Sequence, residues 1–325
     1  MIFLVVLAFF FIFLRGIYRS FFPLPNIDVR GKYVLISGCD SGFGRELAIQ
    51  LDQKGVHVFA GVFNSSNESS LRSILSQQAT VFSLNITQPS DIDHAYDLVR
   101  EKTNTLHALV NNAGISTSGF IDWMTMESMR QIMDVNFFGH VAMTKKFLPL
   151  LISKRGCRVV NICSVAGIIT SPMKSAYSAS KYALEAFSDC LRREMFPWDL
   201  HVSIIEPGPM RTPIIEGHDQ AMNRFWNGLS VDVQERWGED YLRIQTKKIS
   251  ANFLYRHAEN PAKVVRDLEH AVLNSAPEIR YRPGWQAKFF FFPLSVLPTW
   301  LADAVLIGVM HDDIQPAGLT KQHIE

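Results

Sequence analysis

Residues 32–55 read KYVLISGCDSGFGRELAIQLDQKG, and this stretch decides the fold. KYVLISG is a run of β-branched and apolar residues of the kind that forms a strand buried on both faces. RELAIQLDQKG has the period of an amphipathic helix. Between them lie Gly38, Gly42 and Gly44 in a GxxxGxG spacing. Strand, glycine turn and helix in that order form the first half of a βαβ unit, so the chain is predicted to be α/β with a doubly wound parallel sheet. Glycine lets backbone amides approach an anion closely, and a helix amino terminus offers unpaired N–H groups and a positive dipole end. These properties suit the pyrophosphate of a dinucleotide; tight packing of strand on helix is the competing reading.

The same alternation continues outward. VHVFAGVF, VFSLNIT, LHALVNNAG and RVVNIC read as further strands, and PEIRYRPG as a final edge strand. A Rossmann-type single domain over residues 30–285 accounts for them, since a chain of 325 residues with 47% hydrophobic content can bury one full core. The formal net charge of +1 gives no electrostatic case for nucleic acid. Cys39, Cys157, Cys163 and Cys190 lack metal or disulfide spacing and the histidines form no HExxH, so no metal site is predicted and the thiols are expected to be reduced and buried.

Both ends are apolar. Met1 to Leu14 is unbroken, followed by Arg15, Arg19, Phe21 and Phe22. Fourteen helical residues cover about 21 Å of a roughly 30 Å hydrocarbon core, so residues 1–22 are expected to anchor the chain with the arginines snorkelling. The basic flank follows the apolar run, which favours a cytosolic domain. Residues 286–325 form a hydrophobic carboxyl-terminal segment and a polar tail. Pro293, Pro298 and Asp303 interrupt the apolar part, which disfavours a spanning helix and favours contact with a membrane surface or a hydrophobic entrance; a dimer contact is also compatible.

The chemistry is expected in SVAGIITSPMKSAYSASK, residues 164–181. Tyr177 and Lys181 are four apart, on one helix face, and a fixed cation favours the phenolate of a neighbouring tyrosine. Ser164 follows an apolar strand, so its hydroxyl emerges at a strand end. Asn85 and Asn112 also stand near strand ends, the edge where open parallel sheets bind ligands. Asn136 lies inside MESMRQIMDVNFFGHVAMTKKFLPLL, whose period predicts one long core helix. A buried amide there must find partners, either backbone or a water that relays protons to Lys181.

From about Lys32 to Thr212 the chain resembles the short-chain dehydrogenase/reductases, through SGCDSGFG, NNAG, Asn136, Ser164, Tyr177-x-x-x-Lys181 and EPGPMRT. CDSGFG, the carboxyl-terminal third and the apolar amino terminus resemble the microsomal retinol and hydroxysteroid dehydrogenase branch. The resemblance implies Tyr177 as the acid/base on the reacting oxygen, Lys181 as the group that lowers its pKa and holds the nicotinamide ribose, Ser164 as orienter of the substrate oxygen, and Asn136 as the end of the relay. Gly38, Ser41, Gly42, Phe43 and Gly44 would line the pyrophosphate and adenosine site, Asn85 and Asn112 the adenine side, and Pro207, Gly208 and Thr212 the nicotinamide end. Ser37 stands where the family usually has threonine, and Asn85 where it usually has aspartate. Gly61 to Ser65, at the end of the second strand, contains no acid and no basic residue. The absence of a basic clamp favours NAD, with NADP still open, and Glu68 is a candidate ribose ligand or simply a helix-start acid.

The expectation is therefore an endoplasmic reticulum membrane-anchored oxidoreductase acting on an alcohol or carbonyl of a lipophilic substrate, a retinoid or hydroxysteroid. Residues 213–260 would act as a lid, in which Phe225, Trp226, Trp237, Tyr241 and Phe253 either touch the lipid or pack a small subdomain. One alternative is the same chemistry on a small hydroxy acid such as 3-hydroxybutyrate, with Lys174 or Arg211 as carboxylate clamp, although both read as surface charges. Another is an inactive dinucleotide-binding scaffold.

Overall fold

The computed structural model describes residues 24–215, 218–310 and 314–322. Its centre is one parallel sheet of seven strands, β1 (Tyr33–Ser37), β2 (His57–Val62), β3 (Thr80–Ser83), β4 (Ala108–Asn111), β5 (Arg158–Ile162), β6 (His201–Ile205) and β7 (Arg280–Tyr281). They lie in the order β3-β2-β1-β4-β5-β6-β7. The expected edge strand is the two-residue β7, and β6, which runs directly into EPGPMRT, is a further strand beyond those expected. Strand order reverses between β1 and β4, which pair through Val34–Ala108, Leu35–Leu109 and Ile36–Val110. Ligands of such sheets bind beyond the carboxyl ends of the strands at that reversal.

Alternate residues of each strand feed two cores. Val34 and Ile36 pack with Leu47 and Leu51 of α1 (Gly42–Gln53) on one face, and with Val264, Leu268 and Val272 of a helix at Ala262–Leu273. Leu35 and Phe59 face the other way, onto Phe147, Leu150 and Leu191. Helices α2 (Ser66–Arg72) and α3 (Pro89–Lys102) complete the first half.

The long helix expected around Asn136 is built in three pieces: α4 (Met126–Met133), a π segment Asp134–Gly139, and α5 (His140–Leu151). The expectation of one uniform helix is corrected here. A π segment inserts an extra residue into an α-helix, and such insertions concentrate at functional sites. The following long helix, α6 (Ser175–Glu194), carries Tyr177 and Lys181.

Residues 213–260 are helical: α7 (His218–Asn227), α8 (Val231–Trp237), α9 (Glu239–Ala251) and α10 (Phe253–Arg256). Trp226 is buried there with Trp123, Met173, Met222 and Leu242, and Trp237 and Tyr241 stack around Phe120. These aromatics form the small core of the segment. After α11 (Ala262–Leu273) and β7, residues 287–310 fold into short helical pieces whose Phe291 and Leu294 pack on Val165 and Ile169.

The linker after the amino terminus is fixed at the opposite edge of the sheet from the carboxyl strand ends. Ile27 N–H donates to the Leu273 carbonyl at 2.8 Å, and the Asn274 amide donates to the Leu24 carbonyl at 2.8 Å. The anchor expected over residues 1–22 lies outside the described residues. Among the described residues, no helix is long and apolar enough to cross a membrane. Cys39, Cys157 and Cys163 are buried as expected, whereas Cys190 is exposed.

Candidate active site

The glycine turn is shaped by contacts that leave no room for side chains. Gly38 has φ +72°, and a Cβ on it would come 2.7 Å from the Ala113 backbone. A Cβ on Gly44 would lie 2.4 Å from the Asn112 amide nitrogen and 2.6 Å from the Gly38 carbonyl. That amide donates to the carbonyls of Ser37 and Gly38, both at 2.9 Å. Asn112, from the NNAG stretch, thus buttresses the turn across the strand reversal. The Ser37 hydroxyl accepts from the Asn112 and Ala113 backbone N–H groups at 3.1 and 3.2 Å, so serine serves in place of threonine.

A cleft of about 960 Å³ runs along this turn, lined by Gly38, Ser41, Gly42, Phe43, Asn85 and Asn112. The Asn85 side-chain Oδ1 accepts from the Thr87 N–H and hydroxyl at 3.1 and 2.8 Å, a turn that seats the residue at the cleft wall. Glu68 is instead paired with Arg72 at 2.7 Å, the helix-surface alternative. The cleft also holds an acid that no motif or spacing in the sequence singles out. Asp40, in the glycine turn itself, accepts the backbone N–H groups of Phe63 and Asn64 at 2.8 Å each, and the Asn67 amide at 3.1 Å. A carboxylate therefore stands at the end of β2, supplied from a loop rather than from Gly61–Ser65. The composition of CDSGFG held the signal, but only the return of β2 beside β1 places it.

The cleft continues through Phe43, Asn112, Gly114 and Thr212 into a second cavity of about 250 Å³. Ser164, Tyr177 and Lys181 all line it, with Pro207, Gly208 and Thr212 at one side. Ile169, Met210, Leu254, Phe290, Phe291 and Leu306 give the rest of its lining a largely apolar surface, interrupted by Ser116, Ser171, Lys174 and Asn252. The aromatics of α7–α9 do not reach it; Leu254 and Tyr255, and the carboxyl-terminal Phe290 and Phe291, do.

Lys181 is 3% exposed and donates to the Ile162 carbonyl at 2.8 Å, with its ammonium 5.8 Å from the centre of the Tyr177 ring. Burial pushes its pKa down. Burial likewise pushes the Tyr177 phenol up, while the neighbouring Ser164 hydroxyl acts in the opposite direction. In this arrangement desolvation outweighs every group that would favour the phenolate, so the lowering expected from Lys181 is not expressed.

Asn136 takes the backbone option. Its side-chain Oδ1 accepts from Ile115 N–H at 2.9 Å, and its Nδ2 donates to the Ile115 carbonyl at 2.9 Å and the Ser180 hydroxyl at 3.1 Å. It ties the loop after β4 to α6, one residue before Lys181. One turn further on, His140 is fully buried and hydrogen-bonds the Ala113 carbonyl at 2.7 Å; burial, then the charge of Lys181, holds its pKa down at about 3.

Of the two cations considered as clamps, Arg211 is exposed. Lys174 is not the surface charge it read as. Its ammonium faces the cavity beside the Ser116 hydroxyl at 3.3 Å, and burial pushes its pKa down to about 8.

Comparison with known proteins agrees with this geometry. Residues 32–223 match the family model described as short chain dehydrogenase. The chain is 41% identical over 283 residues to retinol dehydrogenase 16 of Rattus norvegicus, covering 85% of this chain and 88% of that one. It is 37% identical over 313 residues to the 3beta-hydroxysteroid dehydrogenase dhs-16 of Caenorhabditis elegans, covering 92% and 79%. A solved short-chain dehydrogenase from Streptomyces avermitilis superposes with a TM-score of 0.68 at 26% identity, over 86% of this chain and 98% of that one. The chain belongs to the short chain dehydrogenase family, in its retinol and hydroxysteroid dehydrogenase branch.

Proposed function

We propose that this protein is a membrane-associated, NAD-preferring dehydrogenase that interconverts an alcohol and its carbonyl on a lipophilic substrate. One observation carries the reading: Ser164, Tyr177 and Lys181 share an apolar cavity that opens into the glycine-turn cleft. The cleft suits a dinucleotide, because Gly38 and Gly44 bring bare backbone to the helix amino terminus where a pyrophosphate would lie. When bound, the nicotinamide supplies the hydride acceptor or donor.

The chain supplies the proton chemistry and the positioning. In the oxidative direction Tyr177 accepts the hydroxyl proton of the substrate, and in reduction it returns one to the carbonyl oxygen. Ser164 orients that oxygen. Lys181 supplies the positive charge that offsets the Tyr177 phenolate, and Asn136 holds the Ile115 loop against α6. Asp40 at the end of β2 favours ribose hydroxyls and disfavours a 2′-phosphate. The segment 213–260 serves as the lid. Membrane association rests on the apolar run 1–22 and on exposed Phe289, Val296, Trp300 and Ile307 near the cavity, and fits an endoplasmic reticulum location.

The test is turnover of retinol and of a hydroxysteroid by purified protein, with each cofactor in turn, beside Tyr177→Phe. The reading expects loss of about 10²–10⁴ in kcat for the variant. Unchanged turnover by a folded Tyr177→Phe protein would sink it.

A further inference from the structure

Beyond Tyr177 and Lys181, α6 carries buried charge that the acid/base chemistry does not use. Lys181, Glu185 and Asp189 follow one another at four-residue spacing, on one face of the helix. Glu185 is 8% exposed; its Oε2 accepts from the Arg280 guanidinium at 3.1 Å, and its Oε1 is buried without a hydrogen bond. The Cys163 thiol stands beside this carboxylate but donates to the Lys181 carbonyl, at 3.2 Å. A buried carboxylate with one oxygen unpaired is costly unless a cation compensates it. Lys181 is one turn away, about 6 Å along the axis. Its ammonium donates to the neutral Ile162 carbonyl at 2.8 Å and, among the described residues, forms no ion pair. Burial pushes the Lys181 pKa down, and Cys163 and Glu185 act the other way; because burial keeps the Cys163 thiol protonated, Glu185 is the anion of the two.

The same carboxylate lies where three pieces of the active site meet. Gly167 ends the turn that begins at Ser164, and a Cβ on it would come 2.9 Å from the Cys163 Sγ, 3.1 Å from the Lys181 carbonyl and 3.1 Å from the Glu185 Cγ. That turn therefore rests directly on α6 at Lys181 and Glu185. Arg280 extends the contact, reaching Asp189 at 3.2 Å and Glu206 at 3.0 Å. Glu206 precedes Pro207, whose carbonyl accepts from the Val165 N–H at 3.0 Å. One chain of buried ionic contacts thus joins the helix of Lys181, the turn of Ser164 and the Pro207–Gly208 loop.

We propose that Glu185 is a positioning residue of the active site: clamped by Arg280, it is the counter-charge of the Lys181 ammonium and the seat of the Ser164–Gly167 turn. It acts through Lys181 and touches neither substrate nor cofactor. The groups facing Lys181 are Tyr177, Cys163, Glu185 and His140, and those facing Glu185 are Cys163, Asp189, Arg280 and Glu206. Burial keeps His140 and Cys163 neutral, so the charge that Lys181 meets along α6 is that of Glu185.

The proposal rests on the dehydrogenase reading, and its readout is the pH profile of kcat/KM for oxidation of retinol or a hydroxysteroid with NAD by the full chain. Oxidation needs the Tyr177 phenolate and the Lys181 ammonium together, so activity falls on the alkaline side as Lys181 loses its proton. Without the anion that proton leaves more easily. Glu185→Gln, which keeps the shape and can still accept from Arg280, is expected to move the alkaline limb down by about one pH unit and to lower kcat about tenfold. Glu185→Asp keeps the charge and should hold the limb within a few tenths of a unit of the parent. Arg280 retains Asp189 and Glu206 in both variants, so no cation is stranded. Melting temperature checks each fold, and Glu185→Met, with the same shift expected, replaces the amide if that protein does not fold. A purely structural role would lower kcat and leave the limb in place; that result, or an equal shift in Glu185→Gln and Glu185→Asp, overturns the counter-charge while parent turnover leaves the dehydrogenase reading standing. Absence of turnover of either substrate by folded parent protein overturns the reading beneath it as well.

Discussion

The Asp40 carboxylate accepts the Asn64 backbone N–H at 2.8 Å, so the glycine turn and the end of β2 are joined through an acid. A 2′-phosphate on the adenosine ribose would meet this charge. Two like charges about 4 Å apart at a protein surface repel by about 1–4 kcal/mol, and 1.4 kcal/mol is tenfold in affinity. The parent should therefore favour NAD over NADP by at least about tenfold in kcat/KM. Asp40→Asn, which keeps an acceptor but not the charge, should shrink that ratio by about tenfold. Steady-state kinetics with both cofactors decide it, and an unchanged ratio refutes the role of Asp40.

Asn136 and Ile115 exchange a reciprocal pair of hydrogen bonds at 2.9 Å, joining the π segment to the loop after β4. Asn136→Ala would leave the Ile115 N–H and carbonyl unpaired, at a cost of about 1–3 kcal/mol for a buried polar group left so. Urea unfolding should show that loss. Turnover should fall too, because the loop bearing Ser116 is freed from α6; a variant as stable as the parent would show that the π segment holds the loop without the amide.

Much of this was legible locally. The glycine turn, the strands and the Tyr177–Lys181 pair announce themselves by period or spacing, and Asn136 stands out as an amide in an apolar run. What was not legible depends on chain reversals. Asp40 matters because β2 returns beside β1, and no residue near Gly61 records it. Lys174 reads as a surface charge because nothing in SPMKSAY marks the left-handed turn at Met173. The π segment around Asn136 leaves the helical period nearly intact, so a uniform helix was the natural expectation.

Acid should weaken the fold through its buried histidines. Burial, then the Arg158 charge, holds His107 down at about 4, below the roughly 6.5 of an unfolded histidine. The unfolded chain thus binds the extra proton first, and stability is lost as pH falls from about 6.5 toward about 4. Glu206, pushed up to about 7 by burial, contributes the opposite slope in part of that window. The comparison is therefore between parent and His107→Gln: unfolding free energy should fall less steeply with acid in the variant. Parallel slopes would mean that His107 is not the group responsible.

Glu206 links the active-site loop to the carboxyl-terminal segment. It is fully buried immediately before Pro207, and its oxygens pair with the Arg280 Nε at 3.0 Å and the Arg282 Nε at 2.6 Å. Arg280 also reaches Glu185 of α6 at 3.1 Å, one turn beyond Lys181. The Arg282 guanidinium stacks on Phe292 at 3.8 Å, beside the Phe290 and Phe291 that wall the cavity. Removing one partner of a buried pair typically costs about 3–5 kcal/mol, because the other charge is left uncompensated. Glu206→Ala should lose less than that in urea unfolding, because Arg280 keeps Glu185 and Asp189 and only the part-exposed Arg282 is left without its carboxylate. Arg282→Ala removes only the outer partner and the Phe292 contact, so it should act on the cavity wall instead: KM for a bulky substrate rises several-fold with kcat little changed. If Arg282→Ala lowers kcat and leaves KM alone, the carboxyl-terminal segment shapes the chemistry at Tyr177 and not the binding of the substrate body.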